Sequence, residues 1–162
     1  MARIEIRPAT PRDVPLILTF IRELAEYERL AHEVRATEAQ LHATLFAPHP
    51  AAEVVIAEYG GAPAGFALFF ASYSTWEGKP GLYLEDLFVR PEARGKGIGR
   101  RLLEHLARLT LKRGWARLEW RVLDWNEPTI AFYKKLGAAP LDDWTVFRVA
   151  GDSLENLAAT KN

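Results

Sequence analysis

The sequence predicts an α/β domain with one mixed sheet flanked by helices. Three observations carry that reading. Stretches of period-two apolar alternation take turns with stretches whose apolar residues recur at helical spacing. Their order along the chain is βααβββαβαβ, which suits one sheet covered by helices. No internal repeat, low-complexity run or linker interrupts the 162 residues, enough for one domain with its own core.

Residues 3–7 alternate apolar and charged and read as a strand. Thr10 can cap a helix, Pro11 suits its first position and Asp13 suits the positive end of its dipole. Helical spacing from Val14 through Phe20 and Leu24 carries that helix to about Tyr27. Thr37 and Gln40 form a capping box for a second helix, which Pro48 and Pro50 end. Residues 54–59 and 64–71 read as a hairpin turned at Gly60-Gly61, and residues 72–80 as a looser segment holding Ser74 and Trp76. Residues 82–89 are the next strand. A glycine-rich loop follows, then a helix with Ile98, Leu102, Leu103, Leu106 and Leu109 on one face, closed by Gly114. Residues 117–122 read as a strand, Asn126-Glu127-Pro128 as the start of a helix closed by Gly137, and residues 146–149 as a last strand. Beyond Gly151 a short helix or a frayed tail is expected.

Composition narrows the function. Lys plus Arg and Asp plus Glu number 21 each, so no overall field attracts nucleic acid or a membrane surface. There is no cysteine, which removes disulfides, thiolate zinc sites and a cysteine acyl-enzyme, and fits a cytoplasmic setting. The N-terminal stretch lacks the apolar region of a signal peptide, and no apolar run approaches the ~18 residues of a membrane span. His32, His42, His49 and His105 have no metal-ligand spacing, so no metal is expected.

The centre of the chain is the strand-loop-helix of residues 82–101. Glu85 and Asp86 sit in an apolar strand, and Gly95, Gly97 and Gly99 open the helix after it. Amides freed by glycine at a helix start can cradle an anion. Nucleotide fingerprints fail here. Gly95-Lys96 is followed by Gly97 rather than Ser or Thr, and Arg100 stands where a dinucleotide fingerprint needs glycine. A tight turn with solvated arginines is one reading. The alternative is a pyrophosphate wrapped by amides, with Arg94, Lys96, Arg100 or Arg101 near further phosphate.

Arg94-Gly95-Lys96-Gly97-Ile98-Gly99 resembles the R-x-x-G-x-G/A signature of the GNAT superfamily of acetyl-CoA-dependent N-acetyltransferases. The likeness extends through the Ile6-Arg7-Pro8-Ala9-Thr10 opening, Tyr83-Leu84-Glu85-Asp86, Asp124-Trp125-Asn126-Glu127-Pro128 and Phe132-Tyr133-Lys134, nearly the whole chain. These segments resemble the spermidine/spermine acetyltransferase subfamily. Ser74 stands where its polyamine branch carries an acid and Glu26 where that branch carries lysine, so the chain looks more like the thialysine, diamine-acetylating branch. The resemblance implies a single N-acetyltransferase domain over residues 1–162, with a core of about 3–150 and a mostly antiparallel mixed sheet. It also implies acetyl-CoA as co-substrate, a small-molecule amine as acceptor and a homodimer. Leu87, Phe88 and Val89, the loop from Arg94 to Arg100 including Ile98, and Asn126, Glu127, Pro128, Thr129 and Tyr133 are then expected at the coenzyme. Tyr27, Glu28, Ser74, Trp76, Glu85, Trp120 and Asp143 are expected at the amine.

The chemistry assigns roles. An alkylammonium has a pKa near ~10.4 and must lose a proton before it attacks. Glu85, among apolar strand neighbours, is the candidate base or water-orienting group, because burial raises a carboxyl pKa. The other reading is an acid facing solvent or paired with arginine. In a regular strand Glu85 and Asp86 point to opposite faces, unless a bulge intervenes. Tyr133 matches the family's general acid for the leaving thiolate; pattern alone favours a core tyrosine on an amphipathic helix, beside Phe132 and Leu136. The oxyanion would meet main-chain amides at residues 87–89, since side chains there are apolar. Asn126 matches a coenzyme-binding asparagine and also suits a helix cap. Ser72, Ser74 and Ser153 are the only serines and none stands in a nucleophile motif, so direct transfer in a ternary complex is expected. Glu28, Asp142 and Asp143 suit an ammonium site or plain solvated surface. Protein or peptide acetylation, and a non-catalytic coenzyme-binding module on the same fold, are the rival functions.

Overall fold

The computed structural model describes residues 2–159. They fall into two compact units, Met1–Leu123 and Asp124–Asn162.

The first unit holds the sheet. Its strands are β1 (Ile4–Pro8), β2 (Glu53–Tyr59), β3 (Ala62–Ser74), β4 (Lys79–Val89) and β5 (Leu118–Trp120). They lie in the order β1-β2-β3-β4-β5, antiparallel except for the parallel β4–β5 pair. Three helices flank them: α1 (Val14–Tyr27), α2 (Glu38–Leu45) and α3 (Ile98–Lys112). This is the expected mixed, mostly antiparallel sheet with helices around it.

Each face of the sheet has its own core. On one, Phe20 of α1 stacks on Phe66 of β3 at 5.3 Å, and Ile17, Leu41, Leu45, Val54, Ile56 and Phe88 pack around them. On the other, α3 packs against β3 and β4 and buries Ile98, Leu102 and Leu106 completely, or nearly so. Burying each such side chain stabilises the fold by about 1.5–3 kcal/mol.

The entry to α1 is fixed by charge as well as by capping. Arg7 of β1 donates a fork to Asp13, at 2.8 and 2.9 Å, and its Nε donates to Glu58 at 2.9 Å. The Thr10 amide also donates to Asp13, at 2.7 Å. The Arg7 hydrogen bonds are the main cause that holds the Asp13 carboxyl at about 2, below its usual range.

Two expectations are corrected in this unit. Residues 72–80 are not a loose segment: β3 and β4 continue as a hairpin to the rung Ser74↔Lys79. Tyr73 and Pro80 face each other there, and alternation in so short a polar stretch is hard to tell from a loop. The strand expected at residues 117–122 is only β5, because its ladder stops at Leu84↔Trp120.

The second unit contains α4 (Glu127–Lys135) and α5 (Gly151–Ala158). Gly137, at φ 91°, closes α4, and the Ala138 amide donates back to the Tyr133 carbonyl at 3.2 Å. The strand expected at residues 146–149 does not form. Val146 and Phe147 are 68% and 90% exposed, and no neighbouring strand pairs with them among the described residues. Alternation marks a side-chain pattern, but a strand needs a ladder partner.

Candidate active site

β4 is irregular where its acids sit. Leu68 pairs with Asp86, but the next rung pairs Phe69 with Leu84. One residue, Glu85, is therefore extra, and the register turns over at that point. Cross-strand partners share a face. Asp86, opposite Leu68, thus joins Phe66 and Phe88 on the face covered by α1, while Leu84 lies with Phe69 on the α3 face.

The bulge separates the two acids by environment. Glu85 was expected to be buried; its side chain is 42% exposed, with Arg121 Nη2 at 3.9 Å. Asp86 is the shielded one. Burial, aided by the nearby charges of Glu85 and Glu28, pushes its carboxyl up to about 7. Glu28, at the C-terminal end of α1, is half-buried and also shifted upward by burial. Tyr83 stands two rungs back on the same face as Asp86, its ring tilted against Phe70 with centres 5.2 Å apart. Burial raises its phenol, and the Arg121 guanidinium donates a hydrogen bond to it.

Backbone direction also changes hands at the bulge. The Leu82 amide donates towards β5, to Arg117 O at 2.9 Å, and the Arg90 amide donates towards β3, to Ala64 O at 2.8 Å. Alternation back from Arg90 leaves the Leu87 and Val89 amides on the edge away from β3. The β5 ladder has already ended at Leu84, so among the described residues that stretch of edge has no strand beside it. Beyond the bulge, Gly65 lets β3 approach β4 closely, because a Cβ there would overlap the Phe88 carbonyl oxygen.

The glycine loop follows directly. Gly95 and Gly97 take φ values of 76° and 81°, and Gly97 is the residue that caps α3. A Cβ at either would meet no protein atom within 4 Å. Glycine is therefore required by backbone conformation, and the space over the loop is open. That fits an anion at the α3 N-terminus. The flanking cations partly bind the loop itself. Arg94 Nε donates to Val89 O at 2.9 Å, and its guanidinium lies 4.8 Å from the Tyr27 ring centre. Lys96 donates to Glu92 O at 3.0 Å, and Arg100 pairs with Glu104 at 2.9 Å. Arg101 is exposed on α3.

Residues 18–138 match the acetyltransferase (GNAT) family. The chain belongs to the GNAT family. It is an acyltransferase, and several of its relatives are similar along most of their length. A thialysine N-epsilon-acetyltransferase from Bos taurus is 40% identical, over 98% of this chain and 99% of that protein. An L-ornithine N5-acetyltransferase from Arabidopsis thaliana is 34% identical, over 94% of this chain and 86% of that protein. Among solved structures, an integron cassette protein from V. cholerae superposes with a TM-score of 0.80 at 29% identity, over 97% of this chain and 98% of that one.

Within this GNAT unit the expected amine-site residues divide. Glu28 and Glu85 lie near Asp86, at the α1 end and the β4 bulge, while the Tyr27 ring lies against the Arg94 guanidinium. Ser74 is buried at the end of β3, where its Oγ accepts from the Glu77 amide at 3.1 Å. That bond ties the hairpin turn. Trp76, in that turn, is 86% exposed. Trp120 pairs with Leu84, on the α3 face. In the second unit Asn126 stands immediately before α4, without making the capping bond that its position suggested. Glu127, Pro128 and Thr129 form the first turn of α4, Tyr133 follows with its ring 5.7 Å from Phe132, and Asp143 is exposed.

Two residues beside the candidate site escaped sequence reading. Asp86 was set aside by assuming a regular strand, and nothing in the sequence announces the bulge. Arg121 lay in a strand of mixed polarity. Its only signal was a cation two positions beyond Glu119, itself level with Tyr83.

Proposed function

We propose that this GNAT acyltransferase uses acetyl-CoA to acetylate a primary amine of a small diamine or lysine analogue, by direct attack in a ternary complex. The observation that carries this reading is the β4 bulge, which sets a half-buried acid and an open main-chain edge side by side just ahead of an anion cradle. The names of the thialysine and ornithine acetyltransferases it resembles support the substrate class. The amides of residues 95–100, with Leu87 and Val89, would hold acetyl-CoA, and Asn126, Glu127, Pro128 and Thr129 are assigned to it by resemblance. When bound, that co-substrate supplies a thioester carbonyl and a thiol leaving group.

The chain's residues supply the rest. Asp86 and Glu28 receive the ammonium. A carboxyl near neutrality is well matched to take its proton, so we move the role of base from Glu85 to Asp86. Glu85, at the exposed bulge, orients water. The main-chain amides on the open edge of β4 meet the developing oxyanion. Tyr133 protonates the leaving thiolate. We also propose that it acts in the cytoplasm as a homodimer; sedimentation of the purified chain would check the dimer.

The deciding experiment is thiol release from acetyl-CoA across thialysine, ornithine, lysine, diamines, polyamines, aminoglycosides and peptides. Acetylation of the small amines and not of peptides is expected. Silence across the set would overturn the reading. With both substrates varied, intersecting double-reciprocal lines are expected; parallel lines would exclude a ternary complex.

A further inference from the structure

Acids border the amine side of β4, and the Arg121 guanidinium stands beside one of them, Glu85. Tyr83 lies level with Glu119 across the parallel β4–β5 ladder. Arg121 follows two residues after Glu119, just beyond the end of β5. Its guanidinium donates to the Tyr83 phenol and reaches Glu85 at only 3.9 Å, too far for a hydrogen bond. The Arg121 side chain is 49% exposed. A guanidinium has five N–H donors in a planar fork. Neither contact uses that fork in the bidentate way that Arg7 uses its own on Asp13.

A site for a bare diamine gains nothing from such a group. Two ammonium ions would be repelled by it, and the neighbouring acids would already be sufficient. A ligand with an ammonium at one end and a carboxylate at the other uses both charges. Glu85, 3.9 Å from Arg121, is followed directly by the half-buried Asp86, so the cation and that acid both border the bulge.

We propose that Arg121 is a specificity-determining residue that binds the α-carboxylate of an amino acid whose side-chain amine is acetylated. This deepens the amine-acetylating reading above and rests on it. The carboxylate takes the Arg121 fork, Asp86 and Glu28 take the distal ammonium, and polyamines are disfavoured by the same cation. An arginine–carboxylate fork is charge-assisted and directional, which lysine does not reproduce.

The test compares ornithine with 1,4-diaminobutane, which is ornithine without its carboxylate. Acetylation rates give the ratio of kcat/KM for the two. Calorimetric binding in the presence of coenzyme A gives the ratio of affinities without any transfer. The native protein is expected to prefer ornithine in both, and Arg121→Ala to collapse the preference by about 10- to 100-fold, the worth of one charge-assisted hydrogen-bonded pair. Arg121→Lys should recover part of it. A native protein with no preference, or a ratio that Arg121→Ala leaves unchanged, overturns the proposal; the latter includes a variant in which both substrates weaken together, the mark of a residue that merely positions Glu85. Selective binding of ornithine without transfer to either compound would uphold Arg121 and sink the catalytic reading instead.

Discussion

Asp86 of β4 lies opposite Leu68 of β3, one residue out of step with the Phe69↔Leu84 rung beside it. That offset puts a carboxyl on an apolar face, and its consequence can be measured as stability. An ordinary aspartate titrates near 3.8, and in the folded chain Asp86 titrates at about 7. Between those values the folded state holds the proton that the unfolded state has released. The native protein therefore loses stability as pH rises from about 4 through 7. Asp86→Asn removes that loss. Thermal unfolding should find the variant more stable than the native protein at pH 8, by about 2–4 °C for each kcal/mol relieved, with the gap closing near pH 4. A gap that is the same at both pH values would mean that the Asp86 proton is not involved.

The same group should shape catalysis. If Asp86 accepts the proton, kcat/KM rises with pH through an ionisation near 7, and Asp86→Asn loses both most of the rate and that limb, at a cost of about 10²–10⁴-fold. Glu85→Gln should keep the limb while lowering the rate less. A Glu85→Gln profile without the limb would return the role to Glu85.

Gly65 sets the close approach of β3 to β4 just before the glycine loop. Its missing Cβ leaves room for the Phe88 carbonyl, which cannot move without shifting Val89 and the loop after it. Gly65→Ala should cost about 1–3 kcal/mol in chemical denaturation, as overpacking does, and weaken acetyl-CoA binding as well. A variant of native stability and affinity would show that β4 is free to yield there.

These positions also mark what could be read in advance. The strand-loop-helix, the order of elements through Tyr133 and the glycine conformation of the loop were legible, because period, capping residues and glycine spacing are local properties. The bulge was not. It depends on the register of β3 against β4, which no single strand encodes, so burial was assigned to Glu85 rather than to its neighbour. The hairpin beyond Ala71 and the unpaired stretch at residues 146–149 failed for the same cause in opposite directions. One gained a ladder partner that its composition did not suggest, and the other has an alternating pattern without a partner.

Gly97 separates a conformational role from a packing one. Its φ of 81° is costly for any residue with a Cβ, although the space around it is open. Gly97→Ala should lose about 1–2 kcal/mol from backbone strain and raise the KM for acetyl-CoA, with less effect on the KM for the amine. Equal changes in both would point to general loosening of the unit instead.

Acid should unfold the first unit through Asp13. Its carboxyl titrates at about 2 when folded and near 3.8 otherwise, so it stabilises the fold above about 4 and that contribution disappears as pH falls through 2. Arg7→Met removes the fork. Because the Arg7 side chain is 37% exposed, solvent screening keeps the cost modest, about 1–2 kcal/mol at pH 7. The difference between native and variant unfolding should shrink in acid. A constant difference down to pH 2 would show that lost packing, not the charge, is what Arg7→Met removes.

Tyr133 is the last test, because its role comes from resemblance and chemistry together. A thiolate leaving group is weakly basic, with a thiol pKa near ~8.5, and a phenol near ~10 can donate to it at modest cost when held close. If the phenol supplies that proton, Tyr133→Phe lowers kcat by about 10²–10⁴-fold while the dissociation constant for acetyl-CoA moves little, since the ring remains. Acetyl donors with more acidic thiols need less help and should narrow the gap between native and variant. A loss of coenzyme affinity equal to the loss of rate would make Tyr133 a binding residue. Unchanged turnover would leave the thiolate to be protonated by water and remove Tyr133 from the mechanism.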